Sequence, residues 1–367
     1  MKKLMFVLIF TLFLLVLSFN VSATEATEDD LSQKLFDGID EEVWDILEDF
    51  GITSFDSESI YNISFSSILE YYKDSLSEYL KGTLSLFTRV FSLILLGGIT
   101  SLVINTKKYK DMLSVLLVPI VTVILTDEIR LCINSALSLL KLNGNFMLVF
   151  VPIYAVAVSV AGNPAAAVTY NTFVLGFSEV ISAGINYGLV DIIGCFFCLC
   201  IGFSLNRFIN FPRFLSAVNR LISFVFGLVS SLFTSFLSLK GIFAASTDSV
   251  AAKGIKFAIG SLIPVIGSSI SDAYSTLIGS FGVLKNSVAI VGIFVMLALN
   301  FPVIAETVIF NIALNTLSFI SELFDCDELS NVLRAFACGI KIIGLLVLSE
   351  MLILIISTAI MLTVKGG

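Results

Sequence analysis

The chain has 367 residues, of which 57% are hydrophobic and 14% charged, with a mean hydropathy of +1.00 and a net charge of −8. Soluble domains carry roughly 25% charged residues, so this composition belongs to an integral membrane protein and not to a soluble one. The acidic balance excludes a nucleic-acid surface, and the absence of histidine excludes histidine triads, histidine-ligated metals and imidazole proton relays.

In chain order, Met1-Lys-Lys is a positive start, Leu4–Phe19 an apolar core and Val21-Ser-Ala23 a small-residue cleavage site. Residues 1–23 therefore have the form of a signal peptide, with an uncleaved anchor as the alternative. Residues 24–82 form an acidic exported leader, with sixteen Asp and Glu between Glu25 and Glu78 against Lys34 and Lys73. Val43, Ile46, Leu47 and Phe50 recur at helical spacing around Trp44, predicting one amphipathic helix; Ile68, Leu69, Tyr72, Leu76 and Leu80 predict a second. So short a leader buries little core alone, so its apolar faces are expected to dock on the membrane body or on a partner. The alternative is a solvated acidic leader.

Residues 83–367 read as a polytopic helical membrane domain. Nine spans are predicted, near 84–104, 111–126, 146–161, 165–187, 189–206, 221–239, 257–281, 286–305 and 338–363. Crossing a bilayer takes about 20 residues, so 111–126 and 146–161 are short, and Pro119 and Pro152 leave re-entrant or tilted segments open. The signal peptide and basic loops place Lys107, Lys108, Lys110, Arg207, Arg213, Arg220, Lys285 and Lys365 in the cytoplasm. The leader and Glu322–Glu328 are placed outside. The fold class is all-α.

Residues 253–285 form the most informative stretch. Pro264 removes a backbone donor, and Gly260 and Gly267 flank it, so a helix through here must kink or break. Beyond Gly267, helical spacing puts Ser268, Asp272, Ser275, Thr276 and Gly279 on one face. A carboxylate there costs roughly 3 kcal/mol in lipid, so this face is expected to meet protein or water. Two other spans carry intramembrane carboxylates. Glu179 lies on a polar face with Thr172 and Ser182, and Glu350 sits near the centre of the last span. Glu350 needs a partner that spacing does not identify, with Arg89 as the candidate; Lys341 is read as snorkelling. Asn210-Phe-Pro212 recurs as Asn300-Phe-Pro302, each read as a segment junction. Close helix packing is the default for such polar faces, and lining a hydrated path the sharper alternative.

Asp248, Lys253 and Lys256, then Ile263-Pro-Val-Ile-Gly267, Ser271-Asp-Ala273 and Leu284-Lys-Asn286 resemble the stage III sporulation protein AE family. So does the order of signal segment, acidic leader and polytopic body along nearly the whole chain. Ser268 stands where the family has a second glycine, and Ala289 where glycine often follows the Lys-Asn element. The resemblance implies a mother-cell membrane protein of endospore formation, located in the membrane around the forespore with its leader in the intermembrane space. It implies partners from the same operon, including an ATPase and intermembrane-space ring proteins, in a channel or secretion-like complex that sustains late forespore gene expression. The candidate functional residues are Asp248, Lys253, Lys256, Pro264, Gly267, Asp272, Lys285, Glu179 and Glu350.

No nucleotide-binding, metalloprotease or hydrolase motif occurs, and Cys195-Phe-Phe-Cys198 lies in an apolar run without a ligand-rich loop. No enzyme activity, cofactor or metal is expected. The residues alone leave two further readings open, a self-sufficient secondary transporter and a membrane scaffold that conducts nothing.

Overall fold

The computed structural model describes residues 38–49, 65–103, 107–184, 190–204, 213–228 and 267–363, with single positions at 211, 231, 233, 235, 250 and 253. Among the described residues 96% are helical and none lies in a strand, as the all-α reading requires. The named helices are α1 (Glu41–Asp49), α2 (Phe65–Val103), α3 (Lys107–Val160), α4 (Pro164–Gly184), α5 (Val190–Ser204), α6 (Gly267–Leu323) and α7 (Asp327–Thr363); residues 213–228 are also helical. The expected signal peptide, Asp248, Lys256 and Pro264 lie outside the described residues.

Among the described residues three stretches are long and apolar enough to cross a bilayer: Glu70–Thr100, Gly282–Leu323 and Asp327–Thr363. The last two are neighbours in an antiparallel hairpin, the most extensive helix pair in the fold. Its turn is a Schellman cap: Cys326 N–H donates to Ser321 O at 3.0 Å and Asp325 N–H to Glu322 O at 3.0 Å, with Asp325 at φ 57° in the position glycine usually takes. The Ser321 hydroxyl also donates to Cys326 O at 3.0 Å. Across the hairpin the Ser330 hydroxyl donates to Glu322 at 2.8 Å, and Arg334 forms an ion pair with the same carboxylate. The acidic Glu322–Asp327 segment is thus a tight helical corner. The α3–α4 corner repeats this chemistry with Gly162 at φ 88°, Asn163 N–H on Val158 O at 3.2 Å, and Pro164 opening α4.

The helices are longer than the spans expected. Segments 111–126 and 146–161 fall essentially within the single 54-residue α3, about 80 Å at 1.5 Å per residue. Residues 127–145 contain five leucines and no proline, and although Gly144 and the asparagines are weak helix formers nothing in the stretch halts the ladder. Pro119 and Pro152 sit inside α3 and Pro302 inside α6, each within a helix that continues past it. Likewise α2 runs unbroken through Gly82, where the leader was expected to give way to the body.

The first leader helix docks on the body, as its apolar spacing predicts, whereas on the second the predicted face is only partly covered, with Leu76 and Leu80 exposed. Val43 and Leu47, one turn apart on α1, are fully buried, and α1 packs against α6. The Asn145 amide of α3 donates to Asp40 at 3.2 Å just before α1 begins. Tyr72 of α2 meets Phe301 of α6, with ring centroids 4.2 Å apart. The core beneath is an aromatic ladder on α3, Phe146, Phe150 and Tyr154 stacked at 5.2 and 5.6 Å, with Tyr170 of α4 edge-on to Tyr154 at 5.1 Å.

Candidate functional site: a buried polar centre between three helices

Three long helices each bring one polar side chain to a common point. Asn143 of α3, Asn300 of α6 and Glu350 of α7 have exposures of 0%, 0% and 1%. The Asn143 amide donates to Asn300 Oδ1 at 2.9 Å and to Glu350 Oε2 at 3.2 Å. Asn300 returns a hydrogen bond to Asn143 Oδ1 at 3.2 Å and donates to Met296 O, one turn back on its own helix, at 2.8 Å. Burial of such groups is costly unless each is paired, and here they pair with one another. The arrangement fixes the register of α3, α6 and α7 around a single point. The leader meets the same two helices at nearby levels but on other faces: Asp40 accepts from Asn145, two residues from Asn143, and Tyr72 meets Phe301, next to Asn300.

Two further polar contacts tie α7 down. Tyr170 of α4 shares a hydrogen bond of 3.0 Å with Thr358. The Lys285 ammonium of α6 donates to Met361 O at 3.3 Å near the end of α7. Lys285 is buried at 4% exposure, inside α6 and not in a solvated loop where basic-residue counting had put it. Spacing alone does not reveal this, because its stem is long enough to reach a helix end.

The other candidates fall elsewhere. Arg89 does not partner Glu350, because it forms an ion pair with Glu128 of α3 at 3.0 Å. That contact follows from α2 packing on α3, which one-dimensional spacing does not contain. Glu179 is exposed on α4, while Thr172 and Ser178 beside it are buried. Lys253 is exposed. Gly267 opens α6, and the side chain of Asp272 lies outside what the structure describes, as do Asp248, Lys256 and Pro264. Lys341 reaches Asn219 Oδ1 at 3.0 Å. Among the described residues no group of three or more metal-ligating side chains converges.

Asn143 and Asn300, the two amides that complete the centre, are the residues that sequence reasoning missed. A signal existed for each. Asn143 belongs to Asn143-Gly-Asn145 within an apolar run, and Asn300 to the Asn-Phe-Pro triplet, which was read as a junction but lies within α6.

A bundle of long apolar helices pinned by a buried amide–carboxyl centre defines a helical integral membrane protein. The chain belongs to a sporulation family of that class: the family model described as stage III sporulation protein AE matches residues 51–365. A relative, Stage III sporulation protein AE of Bacillus subtilis (strain 168), is 22% identical over 186 residues, which are 50% of this chain and 47% of that protein. The alignment thus spans about half the length of the relative. No solved structure matches the chain.

Proposed function

We propose that this protein is a mother-cell subunit of a channel or secretion-like membrane complex that links mother cell and forespore and is needed for late forespore gene expression. The observation that carries the reading is the family match across residues 51–365. It is supported by three helical stretches with the length and composition of membrane spans. The protein sits in the mother-cell-derived membrane around the forespore, with its leader in the intermembrane space. It carries no enzyme activity or cofactor of its own. Its partners are the other subunits of the complex, including an ATPase and ring-forming proteins between the membranes, with lipid around the apolar helices and no nucleic acid. Asp248, Lys253, Lys256, Pro264, Gly267, Asp272 and Glu179 remain the residues proposed to act there, alongside Lys285 and Glu350.

A scaffold role within the same complex is favoured by one observation. Asn143 bonds to both Asn300 and Glu350 and so joins three helices, as residues that hold helices together would.

Deleting the gene is expected to leave vegetative growth unchanged and to lower heat-resistant spore counts severely. A fluorescent fusion is expected to gather around the forespore. Normal spore counts, or a fusion spread evenly over the cell membrane, would refute the proposal. The same purified chain in vesicles is expected to conduct nothing alone; transport by it without partners would favour a self-sufficient permease.

A further inference from the structure

The α6–α7 hairpin and the helical residues 213–228 enclose a cavity of about 330 Å³. Its polar wall has a clear chemical sign. Arg334 and Lys341 of α7, seven residues apart and so on one face, both line it, together with Asn219, Asn311 and Asn315, and among the described residues no carboxylate lines it. Arg334 is partly exposed and Lys341 exposed, so the cavity presents both positive groups at an open mouth.

The walls are held in place by contacts that leave charge facing inward. Asn311 donates to Ala337 O at 2.6 Å across the hairpin, and Asn315 donates to Asn311 Oδ1 at 2.9 Å, so these amides stiffen the α6–α7 seam. Arg334 donates through Nε to Ser318 at 3.2 Å and pairs through one terminal nitrogen with Glu322, which lies outside the cavity wall. Two of its five N–H donors are thereby used, and the Asn219 contact at 3.0 Å uses one of the three on Lys341. The remaining donors stand on a guanidinium and an ammonium, the two groups best suited to phosphate oxygens. Glu322 offsets the charge of Arg334, and among the described residues Lys341 meets an amide and no carboxylate.

We propose that this cavity binds a phosphate-bearing anion, from an anionic phospholipid headgroup or from free phosphate. The volume is at the lower end of ligand pockets, which suits a headgroup-sized group. Lys341 is exposed, so the cavity is open beside the cation. The site is independent of the complex proposed above, because it is built from this chain alone.

The test uses the full chain purified in neutral detergent. Phosphatidylglycerol, phosphatidylcholine and inorganic phosphate at matched ionic strength are each titrated while the melting temperature is followed. Saturating binding is expected to raise it by about 5 °C. A rise with phosphatidylglycerol but not phosphatidylcholine identifies a lipid headgroup; a rise with inorganic phosphate identifies a soluble source. In either case Lys341→Gln is expected to remove at least half of the shift, and Lys341→Gln with Arg334→Gln all of it. Lys141→Gln, which removes an exposed charge outside the cavity, is expected to leave the shift intact. Arg334 also ties the hairpin, so if the double variant fails to fold, Lys341→Gln decides alone. A shift of which Lys341→Gln removes less than half, one lost equally in Lys141→Gln, or no shift in the parent with any probe overturns the proposal.

Discussion

Asn143→Ala is expected to strip most of the folded protein from the membrane. This one side chain makes three of the four hydrogen bonds at the polar centre, donating to Asn300 at 2.9 Å and to Glu350 at 3.2 Å and accepting from Asn300 at 3.2 Å. All three residues are closed off from solvent, so alanine takes the described partner from Asn300 Oδ1 and from the Glu350 carboxyl, each at roughly 1–3 kcal/mol, while Asn300 keeps its bond to Met296 O. The summed loss is about 3 kcal/mol, a shift of roughly a hundredfold in the folding equilibrium. Glu350→Gln keeps the side-chain length and an oxygen to accept from Asn143, so its loss is expected to stay below about 1 kcal/mol. Membrane abundance and melting temperature of the purified variants, read together with spore counts, separate the two. If Asn143→Ala is as abundant and as heat-resistant as the parent, the centre does not hold the helices. If Glu350→Gln is abundant yet forms no spores, the carboxyl does more than pack.

The class of fold was legible because it rests on composition and local period. High hydropathy, 14% charge and 3.6-residue spacing dictate apolar helices wherever they fold. The corner at Gly162-Asn163-Pro164 was equally legible, since a left-handed glycine before a proline can stop one helix and start another. Val43 and Leu47 were readable as a face needing cover. The length of α3 was not: polar residues such as Thr126, Asp127 and Glu128 suggest a loop on a hydropathy scale, yet none of them breaks a helix. Nor was the second turn of the same kind, because Asp325 takes the left-handed position that glycine would have announced.

The polar centre was half legible. Glu350 stands out because a carboxyl in an apolar span is rare, but its partner Asn143 is 207 residues away on α3, and the Asn300 that Asn143 also holds is on α6. Only the packing of α7 against α3 and α6 brings them together. Asparagine attracts less notice in sequence than a charge does, although in an apolar interior its amide is just as dependent on a partner.

Gly292→Val is expected to be the second severe change, through the opposite mechanism of overfilling. A Cβ built on Gly292 of α6 meets the ring of Phe150 on α3. That ring cannot step aside, because it is fully buried and stacked between Phe146 at 5.2 Å and Tyr154 at 5.6 Å, with Tyr170 closing the far end. Close approach of α3 and α6 therefore depends on the missing side chain, as is common where membrane helices pack. Overpacking of this kind costs about 1–3 kcal/mol, and the rigidity of the ladder puts valine at the upper end. Phe150→Ala alone is expected to destabilise as well, by about 3–5 kcal/mol, through the cavity it leaves. Combining the two returns volume on one helix for volume lost on the other, so the double variant is expected to melt above Phe150→Ala alone. Additive losses in that double-mutant cycle would mean that Gly292 and Phe150 do not meet, and that the α3–α6 seam is spaced by other residues.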